Sequence, residues 1–191
     1  VRYTYTQMTR VSHTDEFSIV LHLDNKSSRD IAKIRNLLPN SPYRDDKPHI
    51  TLLQGIVAPR HISDDELLSI LSSLLKSILK IHPHAYVHDI SNTPGGHYTT
   101  TSIVELTSST ELQQEHVKLI KALGSADFRL GRASHTYSPH ITIRLGVLLS
   151  GDALDTAAQL FPKGREVEVD RWAILRLADR RHTRPSYELD P

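Results

Sequence analysis

Pro48-His49-Ile50-Thr51-Leu52 and Pro139-His140-Ile141-Thr142-Ile143 contain two copies of one tetrapeptide, Pro-His-Ile-Thr, set about half a chain apart. Each copy lies in an apolar, β-branched run, continued by Leu53-Gln54-Gly55 in the first case and Arg144-Leu145-Gly146 in the second. Proline fixes the backbone at the head of a strand without offering an N–H. Residues i and i+2 of a strand share a face, about 6 to 7 Å apart along the chain. Each copy therefore predicts a strand that presents one imidazole and one hydroxyl side by side, with Ile50 or Ile141 turned into a core. Two such strands brought together put two histidines and two hydroxyls around one cleft. That set is an acid–base pair with two hydrogen-bond donors, suited to a phosphate ester.

Outward from the motifs, the same order of elements is predicted twice. Phe17, Ile19, Leu21 and Leu23 alternate as one face of a strand. Ser27 or Ser28 is expected to cap a helix carrying Ile31, Ile34, Leu37 and Leu38, ended by Pro39-Asn40-Ser41-Pro42. A polar loop, Tyr43 to Lys47, then delivers the first motif strand. Ser63-Asp64-Asp65-Glu66 is a capping box ahead of a helix with a leucine-rich stripe, and a strand follows at Ala85 to Ile90. After the turn Asn92 to Gly96, the second half repeats the order. It has a strand at His97 to Leu106, a helix from Ser109 or Thr110 to Gly124, the second motif strand, a helix from Asp152 to about Phe161, and one long strand from Glu166 to Leu177. The tail around Arg184 to Leu189 is a candidate edge strand. This reading gives a polar lead-in at 1–16 and a single bilobal domain at 17–191, with pseudo-repeats at about 17–91 and 97–178. The expected class is α+β: two mostly antiparallel sheets around a central cleft, with helices on the outer faces.

Composition narrows the function. The chain has 191 residues, 38% of them hydrophobic and 24% charged, with a formal net charge of +1, so an anionic ligand must be held by a local cluster rather than by a polybasic surface. The absence of cysteine excludes disulfides, thiolate nucleophiles and Cys-type zinc sites, and fits a cytoplasmic or other reducing intracellular compartment. No apolar run is long enough to span a membrane and no signal-peptide core opens the chain. A monomer without membrane association is expected. The chain begins at Val1 rather than Met, as a segment of a longer protein would.

The paired Pro-His-Ile-Thr motifs, in this order and at this separation, resemble those of the 2H phosphoesterase superfamily, which includes 2′-5′ RNA ligase-like proteins and RNA 2′,3′-cyclic phosphodiesterases. The resemblance spans Phe17 to Leu189 and includes the Tyr187-x-Leu189 ending. It implies a bilobal fold with pseudo-twofold symmetry, and His49, Thr51, His140 and Thr142 as the catalytic set. It further implies RNA ends or nucleotides with a cyclic phosphate or a 2′-5′ linkage as substrates, and no cofactor or metal. By the same resemblance His49 is the acid on the leaving 3′ oxygen and His140 the base, giving a 2′-phosphate. The residue types alone leave that direction open, since a histidine near its ordinary pKa serves in either state.

Other residues are secondary candidates. Arg144, at i+4 from His140, is either a phosphate clamp or a surface arginine at a strand end. Tyr137 either stacks on a base or packs beside the motif. Tyr43 and Arg44 hold the corresponding loop in the first half. Arg129 and Arg132 are possible backbone contacts, and Tyr98 and Arg176 lie on strands that border the cleft. His82, His84 and His88 lack the carboxylate or thiolate partners of a metal site, and Gly95-Gly96 reads as a turn. The function expected is metal-independent hydrolysis of 2′,3′-cyclic phosphates. The alternatives are a phosphodiesterase or ligase for 2′-5′ oligonucleotides, a phosphodiesterase for a small cyclic nucleotide, and a non-catalytic nucleotide-binding module.

Overall fold

The two motif strands, β2 (His49–Val57) and β6 (His140–Leu145), lie side by side and antiparallel at the middle of one sheet. The computed structural model describes residues 16–43, 45–58, 62–78, 84–95, 98–108, 110–131, 137–176 and 187–189. Around the central pair run β1 (Glu16–Leu23), α1 (Asn25–Leu37), α2 (Asp64–Ile78), β3 (Ala85–Gly95), β4 (Tyr98–Ser108), α3 (Thr110–Ser125) and β5 (Arg129–Leu130). The remaining elements are α4 (Asp152–Leu160), β7 (Glu166–Val167), β8 (Val169–Arg176) and β9 (Tyr187–Leu189). Among the described residues the strands form a nine-stranded sheet in the order β7-β3-β4-β6-β2-β1-β8-β9, with β5 paired to β2. The α+β class and the antiparallel pairing are those expected from the sequence. The two half-sheets meet at β2 and β6, where Ile50 is the register partner of Ile141.

The half-sheets do not follow the halves of the sequence. β3, which closes the first repeat, pairs with β4, while β8, which closes the second, pairs with β1. The helices cross over as well: α1 packs on α4 and β6, and α3 packs on α2, β2 and β5. The run from Glu166 to Leu177, expected as one strand, is broken at Glu168. The Glu168 carbonyl accepts from Asp24 N–H (3.1 Å), so β7 joins β3 while β8 turns to β1.

Local chemistry fixes the helix ends. Asp24, rather than Ser27 or Ser28, caps α1: its two carboxylate oxygens accept from the Ser27 and Lys26 N–H groups, each at 3.0 Å. Ser63 caps α2 as expected, accepting from Glu66 N–H at 3.2 Å. α1 is tied to α4 by Arg165, whose guanidinium reaches Asp30 (3.0 Å), Ser27 Oγ (3.2 Å) and the Leu160 carbonyl. β1, central in its half-sheet, is buried on both faces. Phe17, Ile19, Leu21 and Leu23 enter the main core, and Val20 forms a second small cluster with Ala173 and Leu175 on the other side. Among the described residues no helix is long and apolar enough to cross a membrane.

Ile50 and Ile141 are both fully buried in the main core. Replacing either by Ala is expected to cost about 2 to 5 kcal/mol in chemical denaturation. The double substitution should depart from additivity by roughly 0.5 kcal/mol or more, because the two side chains share one site.

Candidate active site

Register alone assembles the site. With Ile50 opposite Ile141 and both buried, continuing the antiparallel pairing by one residue sets His49 across from Thr142 and Thr51 across from His140. All four side chains then lie on the face opposite the isoleucines, and all four are half-buried. The pseudo-twofold axis of the repeat passes through the Ile50–Ile141 pair, so each histidine faces the other motif's threonine.

The two rings are oriented by the same device. His49 Nδ1 lies 2.7 Å from the Lys47 carbonyl and His140 Nδ1 lies 2.9 Å from the Ser138 carbonyl. A carbonyl only accepts, so each Nδ1 carries the hydrogen and each Nε2 remains for chemistry. In both cases the acceptor is the residue before the motif proline, which cannot follow a helical residue and holds that carbonyl in extended chain.

The strands themselves are pinned from behind, each by a helix of the other repeat. Arg35 of α1 donates to the carbonyls of Ile143 (2.7 Å) and Thr142 (3.2 Å) on β6, and also to the Asp46 carbonyl (2.9 Å) ahead of β2. His116 of α3 bonds through Nδ1 to the Leu52 carbonyl of β2 (2.7 Å). Leu52 and Ile143 hold the same position relative to their motif histidines, so the two pins are symmetry equivalents built from different side chains.

The neighbours of the two histidines differ, and neither was singled out in the sequence. His22 on β1 is the register partner of His49, and the two rings meet edge to face at 6.5 Å. Glu105 on β4 is the register partner of His140 and accepts from Ser91 Oγ. The alternation of Phe17, Ile19, Leu21 and Leu23 already assigns His22 to the opposite face of β1; only the pairing of β1 with β2 shows that this face is the cleft. Burial first, then the nearby His22 and His140 imidazoles, push His49 below its ordinary value of 6.5, against the opposing effects of the Lys47 carbonyl and Asp46.

The secondary candidates have other positions. The Arg144 guanidinium is engaged within the protein, on Asp45 (2.6 and 3.1 Å) and on the Leu38 and Pro39 carbonyls (3.3 and 2.9 Å), so it acts as a strut for the loop ahead of β2 rather than as the expected phosphate clamp. Tyr43 packs over Gly146, whose φ of +70° and proximity to the ring (a Cβ there would lie 2.6 Å from it) both require glycine. Tyr137 stacks on His116 at 4.4 Å and packs against the core. Burial, with Glu115 nearby, raises its phenol well above the usual range. Of the two readings offered for Tyr137, packing matches this position. Arg129 is exposed on β5, and Arg176 turns to the helix side, where it meets Asp64 at 3.0 Å. His84 pairs with Glu166, and among the described residues no group of three His, Cys, Asp or Glu side chains is placed to hold a metal. Arg44, Arg132, His82 and the side chains of Tyr98 and Tyr187 lie outside the described residues.

A family model of the 2′-5′ RNA ligase superfamily matches residues 23–181, both motifs included. The chain belongs to this superfamily. Solved structures agree on the fold of this 2′-5′ RNA ligase superfamily member. A crystal structure of a phosphoesterase superposes with a TM-score of 0.56 at 13% identity, covering 93% of this chain and 97% of that one. A conserved protein of unknown function from Agrobacterium tumefaciens gives 0.56 at 13% identity, with 91% and 83% covered. E. coli LigT in its apo form gives 0.52 at 17% identity, with 93% and 95% covered. No curated protein sequence matches the chain.

The strut role of Arg144 is open to a double-mutant cycle. Arg144→Ala and Asp45→Ala should each destabilise the protein measurably in urea. Their coupling should be roughly 1 to 3 kcal/mol, since the pair is largely buried and bidentate.

Proposed function

We propose that this protein hydrolyses 2′,3′-cyclic phosphates at RNA ends or on nucleotides, by acid–base catalysis between His49 and His140 and without a metal. The observation that carries the reading is the Ile50–Ile141 register, with two imidazoles of fixed tautomer and two hydroxyls on one face. Binding alone needs no such acid–base pair. E. coli LigT has been solved with ATP, with phosphate and with 3′-AMP, which is in keeping with a nucleotide or an RNA end as ligand here.

In this reading one Nε2 takes a proton from water as its oxygen bonds to phosphorus. The P–O3′ bond breaks on the opposite side, and the other imidazole gives its proton to the departing O3′, leaving a 2′-phosphate. The Thr51 and Thr142 hydroxyls donate to the non-bridging oxygens, whose charge grows in the transition state. The electrostatics favour His49 as base: burial and two neighbouring imidazoles hold it neutral. That leaves His140 as acid, the reverse of the assignment implied by family resemblance, with O3′ beside His140.

Purified protein with EDTA present should convert a nucleoside 2′,3′-cyclic phosphate to the 2′-phosphate. His49→Ala and His140→Ala should each lower kcat by roughly 10² to 10⁴. Near-normal turnover in either variant removes that residue from the mechanism, and loss of activity in EDTA refutes the metal-free route.

The pH dependence tests the assignment of the base. As pH falls through the lowered pKa of His49, the ring protonates and the base is lost, so the acid limb of kcat/KM should lie below pH 6.5. An acid limb at or above that value argues against His49 as base.

A further inference from the structure

The cleft face carries a charge gradient that the four motif residues do not explain. In the row through His49, the register partners run Arg171 on β8, His22 on β1, then His49 on β2. Partners in register share a face, so all three side chains are on the cleft side. In the row through His140, the partners run Glu105 on β4 and Asp89 on β3. One end of the face is therefore basic and the other acidic, while the four motif residues themselves are arranged symmetrically. Beside the basic row, Val20 and Ala173 are fully buried on this same face, whereas Arg171 is exposed, so the face is open at Arg171.

Two interstrand spacings, about 10 Å, separate the backbone of Arg171 from that of His49. A guanidinium at the end of its flexible stem spans enough of that gap to meet a phosphate one nucleotide from the reacting phosphorus. Its partner Asp170 (3.1 Å) is a sequence neighbour, and both side chains are exposed, at 40% and 60%. Such a pair is weak and yields to a phosphate that accepts two parallel N–H groups.

We propose that Arg171, lying over His22, binds the phosphodiester on the 5′ side of the terminal nucleotide, so that the site selects the end of an RNA chain over a free nucleotide. Asp89 and Glu105 repel the same backbone at the other end, which fixes one direction for the chain: it leaves over β1 and β8. The proposal rests on the cyclic-phosphate reading above and adds the substrate class to it.

The test compares uridine 2′,3′-cyclic phosphate, which has no 5′ phosphate, with the dinucleotide ApU bearing the same cyclic end. Wild-type kcat/KM should favour the dinucleotide. Arg171→Ala should reduce that substrate by about tenfold, as expected of one charge-assisted contact near the surface, and leave the mononucleotide within twofold. Arg171→Lys should retain part of the preference. An equal fall on both substrates, or no fall on either, overturns the subsite. Calorimetric binding of ApU 3′-phosphate and of 3′-UMP gives a readout independent of turnover. If neither cyclic substrate is hydrolysed but Arg171→Ala still weakens only the dinucleotide, the phosphodiesterase reading fails and the subsite stands. Equal dinucleotide affinity in wild type and variant refutes the subsite.

Discussion

The contact on which the site depends is apolar: Ile50 against Ile141, where the two half-sheets join. Four polar side chains share one cleft face because two isoleucines between them share the other. A slip of one residue in either strand would turn its histidine and threonine into the core and expose the isoleucine. The register is therefore enforced by the burial of two large side chains, and the catalytic geometry follows from it without any direct bond among the four motif residues having to hold them.

Around that contact, charge serves mostly to hold backbone. Arg35 and Arg144 both sit near Asp45, and burial opposes the charge of Arg35 while Asp45 and Asp46 support it. Between them the two arginines reach the carbonyls of Leu38, Pro39, Asp46, Thr142 and Ile143. These are the segments that lead into β2 and run along β6. Strong donors so close to a candidate phosphate site look like ligands in the sequence; in the fold they fasten the loop that delivers the first histidine. Cations left for a ligand must come from further out on the sheet.

Much of this was legible beforehand. The motif pair is readable because a polar residue at i and i+2 within an apolar strand has few other uses, and duplication makes chance a poor account of it. The element order is readable from the apolar periodicity of each segment. Pairing partners are not, because the alternation of a strand names its faces and not its neighbours. Nothing within Glu166 to Arg176 says that its first two residues belong beside β3 and the rest beside β1. His22 and Glu105 were hidden for the same reason. The capping of α1 by Asp24 rather than by a serine was open to either reading until the geometry chose the residue whose two oxygens reach two N–H groups. Arg144 was misread because its partner Asp45 lies in the other half of the sequence, and a distant carboxylate leaves no local signal.

The exchange of closing strands between the repeats bears on how the chain folds during synthesis. β1 is made first, yet one of its two neighbours, β8, is made near the end. The half-sheet of β1 and β2 therefore keeps an open edge, with a large apolar face, until almost the whole chain has emerged. Contacts of such long sequence separation carry a high loop-closure cost and form late. The repeat may thus descend from a unit that once stood alone as a pair, but its present halves are no longer separable. A chain cut between β3 and β4 leaves each piece without the strand that completes its sheet, and the molecule must fold as a whole to fold at all.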